Sequence, residues 1–262
     1  VRQCCECGAL EFIKQSAAPL EEIYSRSYFH GEEYVNYDSY APSHRRNFRK
    51  KIDLLRAHSH LPEHLRVIEV GAATGEFYQA LIRYPKIQME RYLGLEVSEY
   101  ARQEAISRGI RVISPLTPTA QQEISEFRPN LIVAWDVWEH LEDPVAIFDS
   151  LIESAEPDAT VAISTVDFGA FVPQMRGPKW RQYHPPTHLN YPTRKSFQRY
   201  FQSRGFTISY LASFGSYRPL AEYLKVVRLP LTSQLPKTVR ELPIYLNTFD
   251  TQLVIASRSK KP

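Results

Sequence analysis

Cysteine is almost absent from this chain of 262 residues: all three, Cys4, Cys5 and Cys7, lie within the first seven positions. No disulfide framework can be built from them, and a chain so poor in thiols agrees with a reducing, cytoplasmic location. Long apolar runs are missing as well. None approaches the roughly 18–20 residues that a bilayer-spanning helix needs, and no secretory leader is visible, so no membrane contact is expected. There is little excess of charge, since 32 basic and 29 acidic residues leave +3. That balance, with no long basic stripe, argues against nucleic acid as a partner. Hydrophobic and charged fractions of 43% and 23% are those of an ordinary globular protein. The length suits one large domain, or one domain with small additions.

Glycine is sparse too, with ten in the chain, so two placed four apart stand out. Val67-Ile68-Glu69-Val70 reads as a buried strand, Gly71-Ala72-Ala73-Thr74-Gly75 as a tight turn, and Phe77, Ala80, Leu81 and Tyr84 as one face of a helix. Glycine suits a corner where the backbone takes unusual angles or lets a ligand approach, and main-chain N–H groups at the helix start would meet that ligand. The middle glycine of the dinucleotide fingerprint is missing, and no Lys-Ser or Lys-Thr follows, which excludes a P-loop. Glu69 adds negative charge, which disfavours a polyphosphate and suits a cationic or zwitterionic ligand. Tyr92-Leu93-Gly94-Leu95-Glu96 then gives a second short strand ending in an acid. An acid about 20 residues beyond such a turn accepts hydrogen bonds from ribose hydroxyls.

Strands are expected at 66–70, 92–96, 110–114, 131–135 and 159–164, with helices between them. Ser98 caps one helix and Gly109 ends it; Asp143-Pro144 opens another, with Val145, Phe148, Leu151 and Ile152 inward. Alternation of this kind implies an α/β, Rossmann-like doubly wound sheet, mostly parallel, with ligands at the C-terminal ends of the strands. Two late strands, Phe206–Leu211 and Thr251–Ser257, follow a helix capped by Thr193. A helix over 43–58 carries Phe48, Ile52 and Leu55 on one face. Its Arg45, Arg46, Arg49, Lys50 and Lys51 are expected on a solvated face.

Glu69-x-Gly71-x-x-x-Gly75, then Leu93-Gly94-Leu95-Glu96, then Trp135-Asp136-Val137-Trp138-Glu139-His140-Leu141-x-Asp143-Pro144 resembles the class I S-adenosylmethionine-dependent methyltransferases, nearest the ubiquinone-biosynthesis-like and sugar or natural-product branch. The resemblance implies S-adenosylmethionine as cofactor and an antiparallel late strand. It implies cofactor contacts from Glu69, Gly71, Ala72, Thr74 and Gly75 at the first corner, Glu96 and Val97 at the second, and Asp136 and Val137 at the fourth. Many relatives carry an adenine-reading acid after the third strand; here Ser114-Pro115-Leu116 stands there.

The activity implied is methyl transfer to a small-molecule acceptor, a natural product, sugar or quinone-like compound, at oxygen. A nucleic-acid-modifying enzyme and a non-catalytic cofactor-binding module are the alternatives. An oxygen acceptor needs its proton removed, and histidine is suited to that near neutral pH. His188, His140 and His184 are the candidates, the first and last in the irregular stretch 166–192 expected to frame the acceptor. His140 has the simpler alternative of fixing its own loop. Some relatives place a divalent metal around a Glu-His pair such as Glu139-His140, but two adjacent ligands make no site. Pro185-Pro186 also forbids a helical His184/His188 pair, so no metal is expected.

Residues 1–65 form an N-terminal cap and 66–262 the catalytic domain in this reading, with 215–249 a variable insertion. Cys4-x-x-Cys7-Gly8 resembles one knuckle of the zinc ribbon that some relatives carry, the other half lying upstream or lost. The aromatic run Tyr24, Tyr28, Phe29, Tyr34, Tyr37 and Tyr40 is either a lid over the cofactor mouth or packing on the outside of the domain.

Overall fold

The structure is a computed structural model that describes residues 2–12, 23–25, 41–85, 88–184, 187–226 and 235–258. Two short strands, β1 (Arg2–Gln3) and β2 (Leu10–Glu11), precede helix α1 (Ala41–His58). The alternating part then runs β3 (His64–Val70), α2 (Glu76–Ile82), β4 (Gln88–Leu95), α3 (Glu99–Ser107), β5 (Val112–Ile113), α4 (Ala120–Phe127), β6 (Leu131–Trp135), α5 (Pro144–Ser154) and β7 (Thr160–Val166). After β7 come α6 (Phe171–Arg176), β8 (Asn190–Tyr191), α7 (Arg194–Ser203), β9 (Phe206–Ser213), β10 (Ser216–Pro219), α8 (Leu220–Val226), α9 (Lys237–Arg240), β11 (Pro243–Leu246) and β12 (Thr251–Arg258).

Seven strands make the central sheet in the order β5-β4-β3-β6-β7-β12-β9. The first five are parallel, and β12 is antiparallel to both of its neighbours, the late reversal that the resemblance implies. Side-chain parity builds the two faces. Ile68, Val70, Ile132 and Ala134 join α4, α5 and α7 on one side. Val67, Leu131, Val133 and Trp135 join α1 and α2 on the other, against Ile52, Leu55, Phe77 and Leu81. Because the strand order reverses between β3 and β6, a crevice opens at their C-terminal ends.

Local signals set most helix starts. The Ser98 hydroxyl accepts from Ala101 N–H, Asp143 accepts from Ala146 N–H with Pro144 at the first helical position, and Thr193 and Ser196 form a reciprocal capping box. Other expectations are corrected. The second strand begins at Gln88, and the third shrinks to Val112–Ile113. Val145 is exposed, at the edge of the α5 stripe. Stretch 166–192 contains α6, a 3-10 turn at Gly177–Lys179 and β8, held by a cluster of Val166, Phe168, Trp180 and Tyr191.

The N-terminal strands explain how that stretch is anchored. β2 pairs with β8, Phe12 N–H donates to Leu189 O at 2.7 Å, and Thr193 Oγ1 donates to Cys7 O at 2.7 Å. Among the described residues no helix is long and apolar enough to cross a membrane.

Candidate active site

At the end of β3 the chain turns through Gly71 (φ 70°), Ala73 (φ 46°) and Gly75 (φ 89°). These left-handed angles favour glycine. Space requires it as well: a Cβ on Gly71 would lie 2.4 Å from Val137 Cγ2, and one on Gly75 2.2 Å from Ile110 Cδ1. Within the turn itself, ahead of the helix start, main-chain N–H groups are bonded inside the protein. Gly71 and Ala72 N–H both donate to Leu95 O, at 2.8 and 3.2 Å, and Ala73 N–H donates to Glu96 Oε2 at 2.9 Å.

The two acids behave differently. Glu69 shares strand parity with Val67, so it turns into the α1/α2 face, is 2% exposed and accepts the Tyr92 hydroxyl proton. Burial pushes its carboxyl well above the ordinary range. Its carboxyl is thus engaged with Tyr92 inside that face, beside the turn. Glu96 instead stands at the corner itself, its Oε2 accepting from Ala73 N–H and its Oε1 from Ser98 N–H at 2.8 Å. Each oxygen keeps a lone pair for a hydroxyl donor. Burial raises its pKa, and the Ser98 and Ala73 N–H groups with the Arg102 charge oppose that rise. Arg102 also bonds Val97 O at 2.7 Å. Thr74 is turned away to Glu76 and Arg108, and Ala72 packs against the backbone of Gly94.

At the fourth strand end, Asp136 has φ 59° and a side chain 59% exposed. Ser164 Oγ donates to its Oδ1 at 3.0 Å and Lys51 Nζ to its Oδ2 at 3.2 Å. Crowding by the protein raises its carboxyl, but the Lys51 charge and hydrogen bonds from Lys51 and Ser164 win and hold it below the ordinary value. Lys51 is the residue that sequence reasoning placed wrongly. It lies inside, on the core side of α1, whereas Arg45, Arg46 and Arg49 are exposed as expected and half-buried Lys50 sits over the Tyr245 ring at 3.4 Å. The signal was available, because Lys51 falls at helical spacing with Phe48, Ile52 and Leu55.

Beyond Asp136 the structure brings His140 and His188 together, with ring centroids 4.6 Å apart and planes at 90°. His140 Nδ1 lies 2.9 Å from Thr187 O, and His188 Nδ1 lies 3.0 Å from Gln182 O. A carbonyl only accepts, so both Nδ1 atoms carry the proton and both Nε2 atoms carry the lone pair. Burial lowers both, to about 4 for His140 and about 3 for His188. Both rings are neutral at physiological pH. Glu139, buried behind them, accepts from Thr165 Oγ1 at 2.7 Å; burial and then the Asp136 charge push it up to about 8. One ligand atom from each of Glu139, His140 and His188 lies within 4.8 Å of the others, a spacing that a divalent cation could bridge. His184 is left outside the group, exposed and bonded to Thr187 Oγ1 at 2.9 Å.

Tyr24 ties the two ends together. Its hydroxyl is 3.2 Å from His140 Nδ1, and burial followed by the charges of Glu139 and Glu96 raises its pKa. Tyr28, Phe29, Tyr34, Tyr37 and Tyr40 lie outside the described residues. At the N-terminus Cys4 and Cys7 form a tight turn, Gly8 N–H donating to Cys4 O at 2.9 Å, and two sulfurs supply half of a structural zinc set.

The crevice thus offers a rigid carboxylate for hydroxyls at one end, an open carboxylate in the middle and paired neutral imidazoles at the other. A backbone corner packed too closely to admit a Cβ lies between the first two. That donor and acceptor set fits a sulfonium nucleoside with an amino-acid tail. A family profile described as "Methyltransferase domain" matches residues 33–211. Among solved structures, the chain is similar to magnesium protoporphyrin IX methyltransferase from Synechocystis PCC 6803 with bound SAH, at 14% identity and TM-score 0.56, covering 92% of this chain and 98% of that one. It is also similar to the Haloferax volcanii methyltransferase solved in complex with the Trm112 methyltransferase activator, at 14% identity and TM-score 0.57, covering 86% and 97%. The plantazolicin methyltransferase BamL, solved with a triazolic desmethylPZN analog and SAH, is similar at 13% identity and TM-score 0.52, covering 90% of this chain and 94% of that one. No curated protein matches the chain.

Proposed function

We propose, from the premise that this chain belongs to the class I S-adenosylmethionine-dependent methyltransferases, that it methylates an oxygen of a small-molecule acceptor. The observation that carries this reading is the pair of neutral imidazoles, His140 and His188, meeting in front of Glu139 beside the open Asp136. S-adenosylmethionine supplies an electrophilic methyl group. The chain must hold the acceptor in line and take its proton. Glu96 would accept from the ribose hydroxyls, and the Gly71 corner would admit the sulfur side of the nucleoside. His188 would take the acceptor proton at Nε2, with His140 beside it and Tyr24 closing the top. The near-balanced charge and the small-molecule enzymes among the structural neighbours favour a small acceptor over nucleic acid.

A histidine this easily deprotonated is a weak base by itself. Glu139 supplies the correction: as a carboxylate it would stabilise the imidazolium formed on His188. Its pKa is raised to about 8, so it is neutral below that pH and anionic above it. The expected result is a kcat/KM that climbs as pH rises through about 8, with Glu139→Gln flattening the climb. A profile that is flat in the wild type from pH 6 to 9 would remove Glu139 from the proton path.

The acceptor class is tested by isotope-labelled methyl transfer to phenols, hydroxylated sugars and hydroxyquinones, with RNA alongside. Label on the oxygen of a small acceptor is expected, whereas label in RNA alone would replace this reading by the nucleic-acid one.

A further inference from the structure

Lys51 is poorly explained as part of the packing. Its side chain is 5% exposed, and an ammonium taken out of water is unfavourable unless paired and hydrogen-bonded. Of its three donors, one reaches Asp136 Oδ2 at 3.2 Å. The rings of Trp135, Phe48 and Phe214 surround the charge at 4.8, 5.5 and 5.7 Å, which attracts a cation but supplies no lone pair. The buried indole N–H of Trp135 is a further donor with no partner among the described residues. Asp136, in contrast, is open to the crevice and held in a left-handed backbone conformation that a non-glycine residue adopts only under constraint. Its next neighbour, Val137, lies directly over Gly71. Arg218 of β10 adds a second positive charge that Asp136 senses. One open carboxylate therefore senses two cations, and Lys51 keeps donors that no carbonyl or carboxylate fills among the described residues.

A ligand that completes this set brings one anionic and one cationic group a few bonds apart. The amino-acid end of S-adenosylmethionine is such a group. We propose that Lys51 and Asp136 form a zwitterion clamp, Lys51 binding the α-carboxylate of the cofactor and Asp136 its α-ammonium. In the free protein the two residues pair with each other, so the clamp is preformed and neither side chain must be ordered on binding. The inference depends on the cofactor class and is independent of the acceptor.

Three ligands separate the clamp from a purely structural ion pair in titration calorimetry. They are S-adenosylhomocysteine, its carboxyl methyl ester, and 5′-methylthioadenosine, which keeps the nucleoside and sulfur but lacks the amino-acid end. For Lys51→Met we expect S-adenosylhomocysteine affinity to fall about 10- to 100-fold, as for loss of a charged hydrogen bond. 5′-Methylthioadenosine affinity should change less than about twofold, and the ester should lose nothing further. On the wild type the ester should bind about 10- to 100-fold more weakly than the acid; this arm needs no variant and decides the matter even if Lys51→Met does not fold. Equal losses for S-adenosylhomocysteine and 5′-methylthioadenosine, or a wild type indifferent to esterification, would overturn the clamp.

Discussion

Replacing Glu96 with alanine should weaken S-adenosylhomocysteine binding by about 100-fold or more. A hydrogen bond to a charged acceptor contributes about 1.5–3 kcal/mol, and Glu96 has a lone pair left on each oxygen for the two ribose hydroxyls. A second loss adds to the first, because the same carboxylate fastens Ala73 N–H and Ser98 N–H. Without it both sides of the corner lose a common anchor. Glu96→Gln keeps one acceptor oxygen and gains an N–H that cannot accept, so its loss should be about 10-fold. Calorimetry gives both numbers, and thermal unfolding shows whether the loss is local. Wild-type affinity in Glu96→Ala would mean that the ribose is held elsewhere.

The second large effect is on turnover. His188→Ala should lower kcat by about 100- to 10,000-fold, the usual contribution of a positioned base, with little change in cofactor affinity. The carbonyl of Gln182 fixes the His188 tautomer, and pairing of β2 with β8 fixes the segment that carries it. His140→Ala should cost less than His188→Ala, because in this reading His140 stands beside the proton acceptor and does not take the proton itself. His184→Ala should be nearly silent, since that ring is exposed and bonded to Thr187. Steady-state kinetics with any turned-over acceptor checks the order. Unchanged kcat in His188→Ala would move the proton acceptor to another group.

Much of the architecture was legible because its causes are local. Ser98, Asp143-Pro144 and Thr193 are caps whose partners lie three residues away. The Gly71 and Gly75 corner follows from spacing, as does the position of Glu96 one strand later. The direction of the Glu69 side chain has a local cause too. Strand parity with Val67 already sends it to the α1/α2 face, where Tyr92 meets it.

Lys51 was hidden by its company. Four neighbouring basic residues suggested a solvated face, although its spacing with Phe48, Ile52 and Leu55 places it on the apolar stripe. Other features depend on contacts that no local pattern encodes. Pairing of β2 with β8, which accompanies the bond from Thr193 to Cys7 and anchors the stretch carrying His188, joins segments as far apart as 186 residues. The raised pKa of Glu139 comes from burial and from Asp136, and neither is visible in the pair Glu139-His140. The meeting of His140 with His188 depends likewise on how that stretch crosses the fourth strand end.

One titration reaches the foundation of the account. S-adenosylhomocysteine added to the folded wild-type chain should bind at one site per chain with micromolar or tighter affinity, and NAD under the same conditions should give no heat. Heat with NAD and none with S-adenosylhomocysteine would contradict the assignment of the crevice between β3, β4 and β6 to a sulfonium nucleoside.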